Sequence, residues 1–78
     1  MRKIVSQAEP AYPEMARRMR TRGEARLELL IGSDGRVKSA KPVSGNPLLS
    51  AAAVEAARKS RYEPGLETTM VVVYHFPQ

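Results

Sequence analysis

The sequence predicts an α+β domain, a three-stranded antiparallel sheet with two helices packed on one face, in the order α-β-β-α-β. Three observations predict it. Residues 24–31 alternate in polarity and residues 68–76 are almost wholly β-branched or aromatic, both patterns of strands with a buried face. Asp34-Gly35 turns the first of these strands back on itself, because Asp-Gly readily supplies the positive φ of a tight hairpin. Pro13 and Pro47 each open an apolar-striped segment, and proline suits the first helical position, where its missing N–H costs nothing.

In chain order, residues 1–11 read as an extended lead-in and residues 12–78 as the domain. Pro10 and Pro13 hold Glu9 and Tyr12 out of helical geometry. A short helix is expected from Pro13 to about Arg22, with Met15, Ala16 and Met19 on one stripe, Met15 in the core, and Gly23 at the C-terminal cap. The strand that follows places Ala25, Leu27, Leu29 and Ile31 on one face. Its return partner, residues 36–43, alternates less well. Val37 and Val43 share one parity while Ala40 and Pro42 share the other, so a bulge in the middle is expected to let both ends of the strand face inward. Pro42 lacks a donor and belongs near a strand end or at an unpaired position.

Asn46 is a suitable N-cap for the second helix, which is expected to run to about Arg61. Leu48, Leu49, Ala52, Ala53, Ala56 and Ala57 supply its packing side, and Glu55 with Lys59 forms an i,i+4 pair. Glu63-Pro64-Gly65 stops the helix. In the last strand Met70, Val72, Tyr74 and Phe76 are assigned to the core. Val71 and Val73 then stand on the solvent face, beside Thr69 and His75.

The chain has 78 residues, so it holds one small core and no second. Apolar residues make up 42% and charged residues 27%, the balance of a globular chain rather than a disordered one. Without cysteine, neither disulfides nor thiolate metal sites support the fold. The formal net charge is +5, and residues 1–22 carry +4 of it. The surplus invites a nucleic-acid reading, but only Tyr12, Tyr62, Tyr74 and Phe76 are aromatic, and each is better placed for packing than for stacking on bases. The Arg17, Arg18, Arg20 and Arg22 cluster has two readings, a solvated helix face or a docking surface for anionic partners. No run approaches the roughly 18–20 apolar residues of a membrane span, and the first six residues do not read as a signal peptide. One His, one Asp committed to a turn, and no Gly-rich phosphate loop or ligand cluster argue against an enzyme, a cofactor or a metal.

Several short motifs then line up. Tyr12-Pro13 precedes the first helix, Gly23 the alternating strand, and Asp34-Gly35-Arg36-Val37 forms the hairpin. Ser44-Gly45 leads to Leu49, Ala52, Ala53 and Ala56, and Arg61-Tyr62-Glu63-Pro64-Gly65 follows. Their joint order over residues 8–76 resembles the C-terminal domain of TonB-type energy transducers. The resemblance implies a periplasmic domain of an inner-membrane-anchored protein, the anchor being absent here. It implies binding of a short transporter segment, the TonB box, as a strand along Met70, Val71, Val72, Val73, Tyr74, His75 and Phe76. It also implies import of siderophores or other nutrients through outer-membrane transporters, energised by an ExbB/ExbD-type complex.

Glu9, Pro10, Tyr12, Pro13, Arg17, Arg18 and Arg20 are the further candidates for partner contact. A homodimer through the same edge is a further possibility, and a sensor or assembly domain of another envelope protein is the alternative function. Two departures stand out. The family often has Trp where this chain has Ser60, a loss of about 3 kcal/mol of apolar contact unless neighbours fill the space. Better-known members carry Gln-Pro where Glu9-Pro10 stands here, and a carboxylate offers acceptors only. Pro77, just past Phe76, is expected to shorten the binding edge.

Overall fold

A computed structural model describes residues 4–76. Five strands and two helices follow one another: β1 (Ile4–Ser6), α1 (Glu14–Arg18), β2 (Gly23–Ile31), β3 (Val37–Ser44), α2 (Pro47–Lys59), β4 (Arg61–Tyr62) and β5 (Thr68–Phe76). The main sheet is antiparallel with the order β3-β2-β5, and β1 pairs with β4 in a separate two-stranded ladder. The α+β architecture is the one the sequence pattern predicts. The expected end of the edge at Pro77 lies outside the described residues.

β2 is central because it is apolar on one side and regular throughout. Ala25, Leu27, Leu29 and Ile31 are all fully buried, and they meet Leu49, Ala53, Ala56 and Ala57 of α2 in one cluster. Alanines at the contact let the helix approach the sheet closely. Asn46 caps α2 by accepting the Leu48 N–H at 2.8 Å, with Pro47 in the first turn. Of the expected packing side, Leu48 and Ala52 are only half-buried, and Ser50 is buried in addition. Glu55 and Lys59 form no ion pair; the ion pairs among the described residues lie elsewhere.

The β2–β3 ladder has two irregularities near its ends instead of one in the middle. Leu30 faces Ser39 and Ile31 faces Val37, so Lys38 is the extra residue and parity switches there. That switch brings Val37 and Ala40 to the same side, both against the core. Pro42 faces Leu27 and Ser44 faces Arg26, which leaves Val43 as the second extra residue. Val43 is exposed, contrary to the inward placement expected from parity. A bulged residue on an edge strand has no ladder to direct it to either face.

The first helix is also shorter than its pattern. α1 ends at Arg18, and Arg20 takes the left-handed conformation with φ 55°. The Thr21 N–H then reaches the Ala16 carbonyl at 2.8 Å and the Arg20 N–H reaches Arg17 at 3.1 Å. This is the Schellman arrangement with arginine where glycine is usual, so Gly23 begins β2 and is not the cap. Ala16 alone is buried from α1, whereas Met15 and Met19 are 59% and 65% exposed, not core. A five-residue helix presents barely more than one turn to the sheet, and here its smallest side chain makes the contact.

The hairpin between β2 and β3 docks on β4. Gly35 has φ 86°, and a Cβ there would stand 2.0 Å from the Tyr62 carbonyl oxygen, so only glycine fits. The Tyr62 N–H donates to the Gly35 carbonyl at 2.9 Å. Ser60 rather than Arg61 ends α2, which frees Arg61 and Tyr62 to lie between the hairpin and β1.

Two substitutions test this account by urea unfolding. Leu29→Ala is expected to lower stability by about 2–5 kcal/mol, through lost transfer energy and the cavity it leaves. Asn46→Ala, which removes one cap bond at the protein surface, is expected to cost about 1 kcal/mol.

Candidate peptide-binding edge

β2 is paired on both sides, so the outer strands of the main sheet each have one free edge among the described residues. The two edges differ. β3 is interrupted by bulges at Lys38 and Val43 and contains Pro42. β5 pairs with β2 in unbroken register from Ile31↔Thr68 to Gly23↔Phe76 and contains no proline. In an antiparallel ladder alternate residues turn both N–H and C=O away from the neighbour. β5 therefore offers a regular row of backbone donors and acceptors, and β3 does not.

Side chains on β5 follow the predicted parity. Tyr74 and Phe76 are buried, and Met70 and Val72 pack half-buried on the core. On the outer face Val71 is 55% and Val73 38% exposed. Their cross-strand neighbours are Glu28 and Arg26, and His75 Nδ1 lies 3.1 Å from Glu24 Oε2 directly opposite.

The lead-in flanks the far end of this strand. Gln7, Ala8, Glu9 and Pro10 face Val73–Phe76 across a cavity of about 390 Å³. Tyr12 is half-buried. Its ring meets that of Phe76 edge-on, with centroids 5.7 Å apart at 88°, and its hydroxyl donates to the Thr21 carbonyl. The Arg17 guanidinium sits 5.8 Å above the Tyr12 ring. Pro13 precedes α1 and its carbonyl accepts the Arg17 N–H. Glu9, Pro10, Tyr12 and Arg17 thus gather at the Phe76 end. Arg18 is held at 2.9 Å by Glu14 on the exposed side of α1, and Arg20 is exposed in the turn beyond.

The family model described as the Gram-negative bacterial TonB protein C-terminal matches residues 8–77. The chain belongs to the TonB C-terminal family. It is 31% identical to Protein TonB of Klebsiella aerogenes over 77 residues and 30% identical to Protein TonB of Escherichia coli over 73. Those alignments cover 92% and 91% of this chain but only 32% and 30% of the relatives, so the chain spans about a third of their length. A solution NMR structure of the Pseudomonas aeruginosa TonB C-terminal domain superposes with a TM-score of 0.85 at 22% identity, covering 99% of this chain and 86% of that one. At that identity the superposition speaks for the fold.

Within this TonB-family fold, Ser60 stands at a junction that the sequence flagged only as a missing Trp. It is fully buried. Its hydroxyl donates to the Ala56 carbonyl at 3.0 Å, accepts the Ala8 N–H at 3.4 Å, and lies close enough to Tyr74 to influence its titration. A small polar side chain here ties the lead-in to the end of α2, beside β5. No periodicity could have announced this, since Ala8 and Ser60 are 52 residues apart. At the other end of β5, Leu66 is 89% exposed, and residues 63–68 with Met70 line an open cavity of about 710 Å³. A Leu within a Gly65–Glu67 turn carries no pattern that marks it.

Among the described residues no cluster of His, Cys, Asp or Glu has the arrangement of a metal site, and no helix is long and apolar enough to cross a membrane. Two phenols titrate abnormally. Burial raises Tyr62 above its ordinary value, with the nearby Tyr74 adding to the rise. Burial likewise raises Tyr74, and Ser60 opposes the shift without reversing it. On the β3 side, a hydrogen bond from Lys38 to Glu67 at 2.7 Å raises the lysine.

The tyrosines give the alkaline limb a definite sign. A phenol raised in the folded state keeps its proton when the unfolded chain has lost it, so folding binds more protons. Stability is expected to be undiminished below about pH 10, the unfolded tyrosine value, and to fall as pH rises above it. Urea midpoints measured across that range check this, and Tyr74→Phe is expected to reduce the slope.

Proposed function

We propose that this chain is the periplasmic receptor-binding domain of a TonB-type energy transducer, and that it captures a short extended segment of an outer-membrane transporter as an added strand on β5. The observation that carries the proposal is the contrast between its two sheet edges: β5 is unbroken and proline-free, β3 is bulged and interrupted by Pro42. Strand addition draws its affinity from backbone groups and its selectivity from alternating side chains. Each ladder bond contributes about 0.5–1.5 kcal/mol net, so a short segment binds modestly and can be released. Met70 to Phe76 form the binding edge. Val71 and Val73 then give apolar side chains of the guest a place to lie, which accounts for valines on an uncovered face.

The surrounding surface has its own roles. Glu9 and Pro10 border the guest at the Phe76 end, Tyr12 and Pro13 position that border, and Arg17, Arg18 and Arg20 face the rest of the partner. The binding domain is residues 12–78. The lead-in, residues 1–11, is clipped to it by β1 and the Ala8–Ser60 bond, so tension from an ExbB/ExbD-type complex on the N-terminal side reaches the sheet through those bonds. The transported cargo is a siderophore or comparable nutrient. A second copy of the chain competes for the same edge.

Amide exchange on isotope-labelled protein tests the proposal. Adding a TonB-box peptide is expected to protect alternate N–H groups between Met70 and Phe76 while β3 is unaffected. Protection on β3, or none on β5 at saturating peptide, overturns it.

A further inference from the structure

The two ends of the β5 edge differ in charge. At the Thr68 end the charges are answered locally: Lys38 lies 2.7 Å from Glu67, and Arg36 lies 3.9 Å from Asp34. At the Phe76 end they are not. Arg17, Arg20 and Arg22 are exposed, and none of them forms an ion pair among the described residues. Their position is set by contacts already described. Arg17 lies over Tyr12, Tyr12 abuts Phe76, Arg20 and Arg22 flank the Thr21 carbonyl that accepts the Tyr12 hydroxyl, and Gly23 pairs with Phe76.

The nearby carboxylates do not cancel this surplus. Glu14 is taken by Arg18 and Glu24 faces His75 on the outer side of the sheet. Glu9 lies on the helix side of the edge, in the cavity beside the lead-in. Three guanidiniums against two carboxylates, Glu9 and Glu24, leave this end positive, in a chain whose first 22 residues already hold most of its net charge.

We infer that the Arg17, Arg20 and Arg22 patch recognises acidic residues flanking the segment that adds to β5, at the end of that segment lying beside Phe76. The inference rests on the strand-addition reading and refines it. Backbone pairing alone is nearly indifferent to sequence and tolerates a guest in either direction or register. An anionic flank held at one end only adds both direction and register, and it speeds encounter at low salt. Guanidinium suits the role because its fork of donors matches a carboxylate in two-point contact. At the opposite end an acidic flank would meet Glu67 and the exposed Leu66, where Lys38 is already paired with Glu67.

The experiment uses three synthetic peptides sharing one apolar, β-branched core. One carries an Asp-Glu-Asp flank at its N-terminus, one carries it at its C-terminus, and one carries Gly-Ser flanks. Dissociation constants are measured by calorimetry at low and high salt, with the wild-type chain and with the R17Q/R20Q/R22Q variant, whose fold is checked by circular dichroism. Only one of the two acidic peptides is expected to bind more tightly than the neutral one, by about three- to ten-fold for a few exposed pairs at low salt. High salt and the triple variant are each expected to abolish that advantage, read as the ratio of acidic-peptide to neutral-peptide affinity in the same protein. An N-terminal advantage identifies an antiparallel guest, and a C-terminal one a parallel guest.

Equal gains from both flanks, or a gain that survives the triple variant, overturn the inference and leave strand addition standing. Failure of all three peptides to bind overturns strand addition itself. Vesicles of phosphatidylcholine and phosphatidylglycerol provide the remaining arm. Arginine-dependent vesicle binding without any flank preference would reassign the patch to a lipid surface.

Discussion

Only one strand of the main sheet can satisfy its backbone on both sides, and β2 holds that place because every residue on its inner face is apolar. Ala25, Leu27, Leu29 and Ile31 have no contact with solvent, and α2 lies against them through alanines and Leu49. A sheet of three strands with one central member necessarily has two edges. Sheet edges invite pairing with other chains, and proteins usually blunt them with lysine, proline or bulges. β3 shows all three in Lys38 and Lys41, Pro42, and the extra residues at Lys38 and Val43. β5 shows none within its paired length. One edge is therefore interrupted and the other regular along its paired length.

The open edge requires support from beneath, since α2 lies over β2 and β3. The lead-in and α1 contribute over the other half. Tyr12 closes on Phe76, Ala16 enters the core, and Ser60 joins Ala8 to Ala56. A Trp in place of Ser60 would occupy space that the lead-in and Tyr74 share here. The loss of apolar contact expected from that departure is offset in part by a hydrogen-bonded junction, and the junction also attaches the N-terminal segment to the end of α2. β1 is held by β4, Ala8 by Ser60 and the Tyr12 ring by Phe76.

Much of this was legible in the amino-acid sequence. The inner faces of β2 and β5, the Asp34-Gly35 turn, the Asn46-Pro47 helix start and the three-stranded α+β plan all follow from spacing and turn chemistry, because each depends on residues within a few positions of one another. That the last strand is proline-free, and that Val71 and Val73 stand on its outer face, follows in the same way. The basic surplus of the first 22 residues was equally plain.

Tertiary structure decided the rest. The β1–β4 ladder joins three residues to two across most of the chain, too short to leave a period. Arg20, not Gly23, turns left-handed to cap α1, since bonds from Thr21 and Arg20 back into the helix outweigh the conformational preference of arginine. Met15 and Met19 face solvent because a helix this short meets the sheet through Ala16 alone. Which edge is open, and that the unpaired arginines stand at its Phe76 end, depends on strand order and on Tyr12 meeting Phe76. Local chemistry sets the elements and their faces; long-range pairing sets which edge remains for a partner, because no residue carries information about a neighbour fifty positions away until the chain has closed.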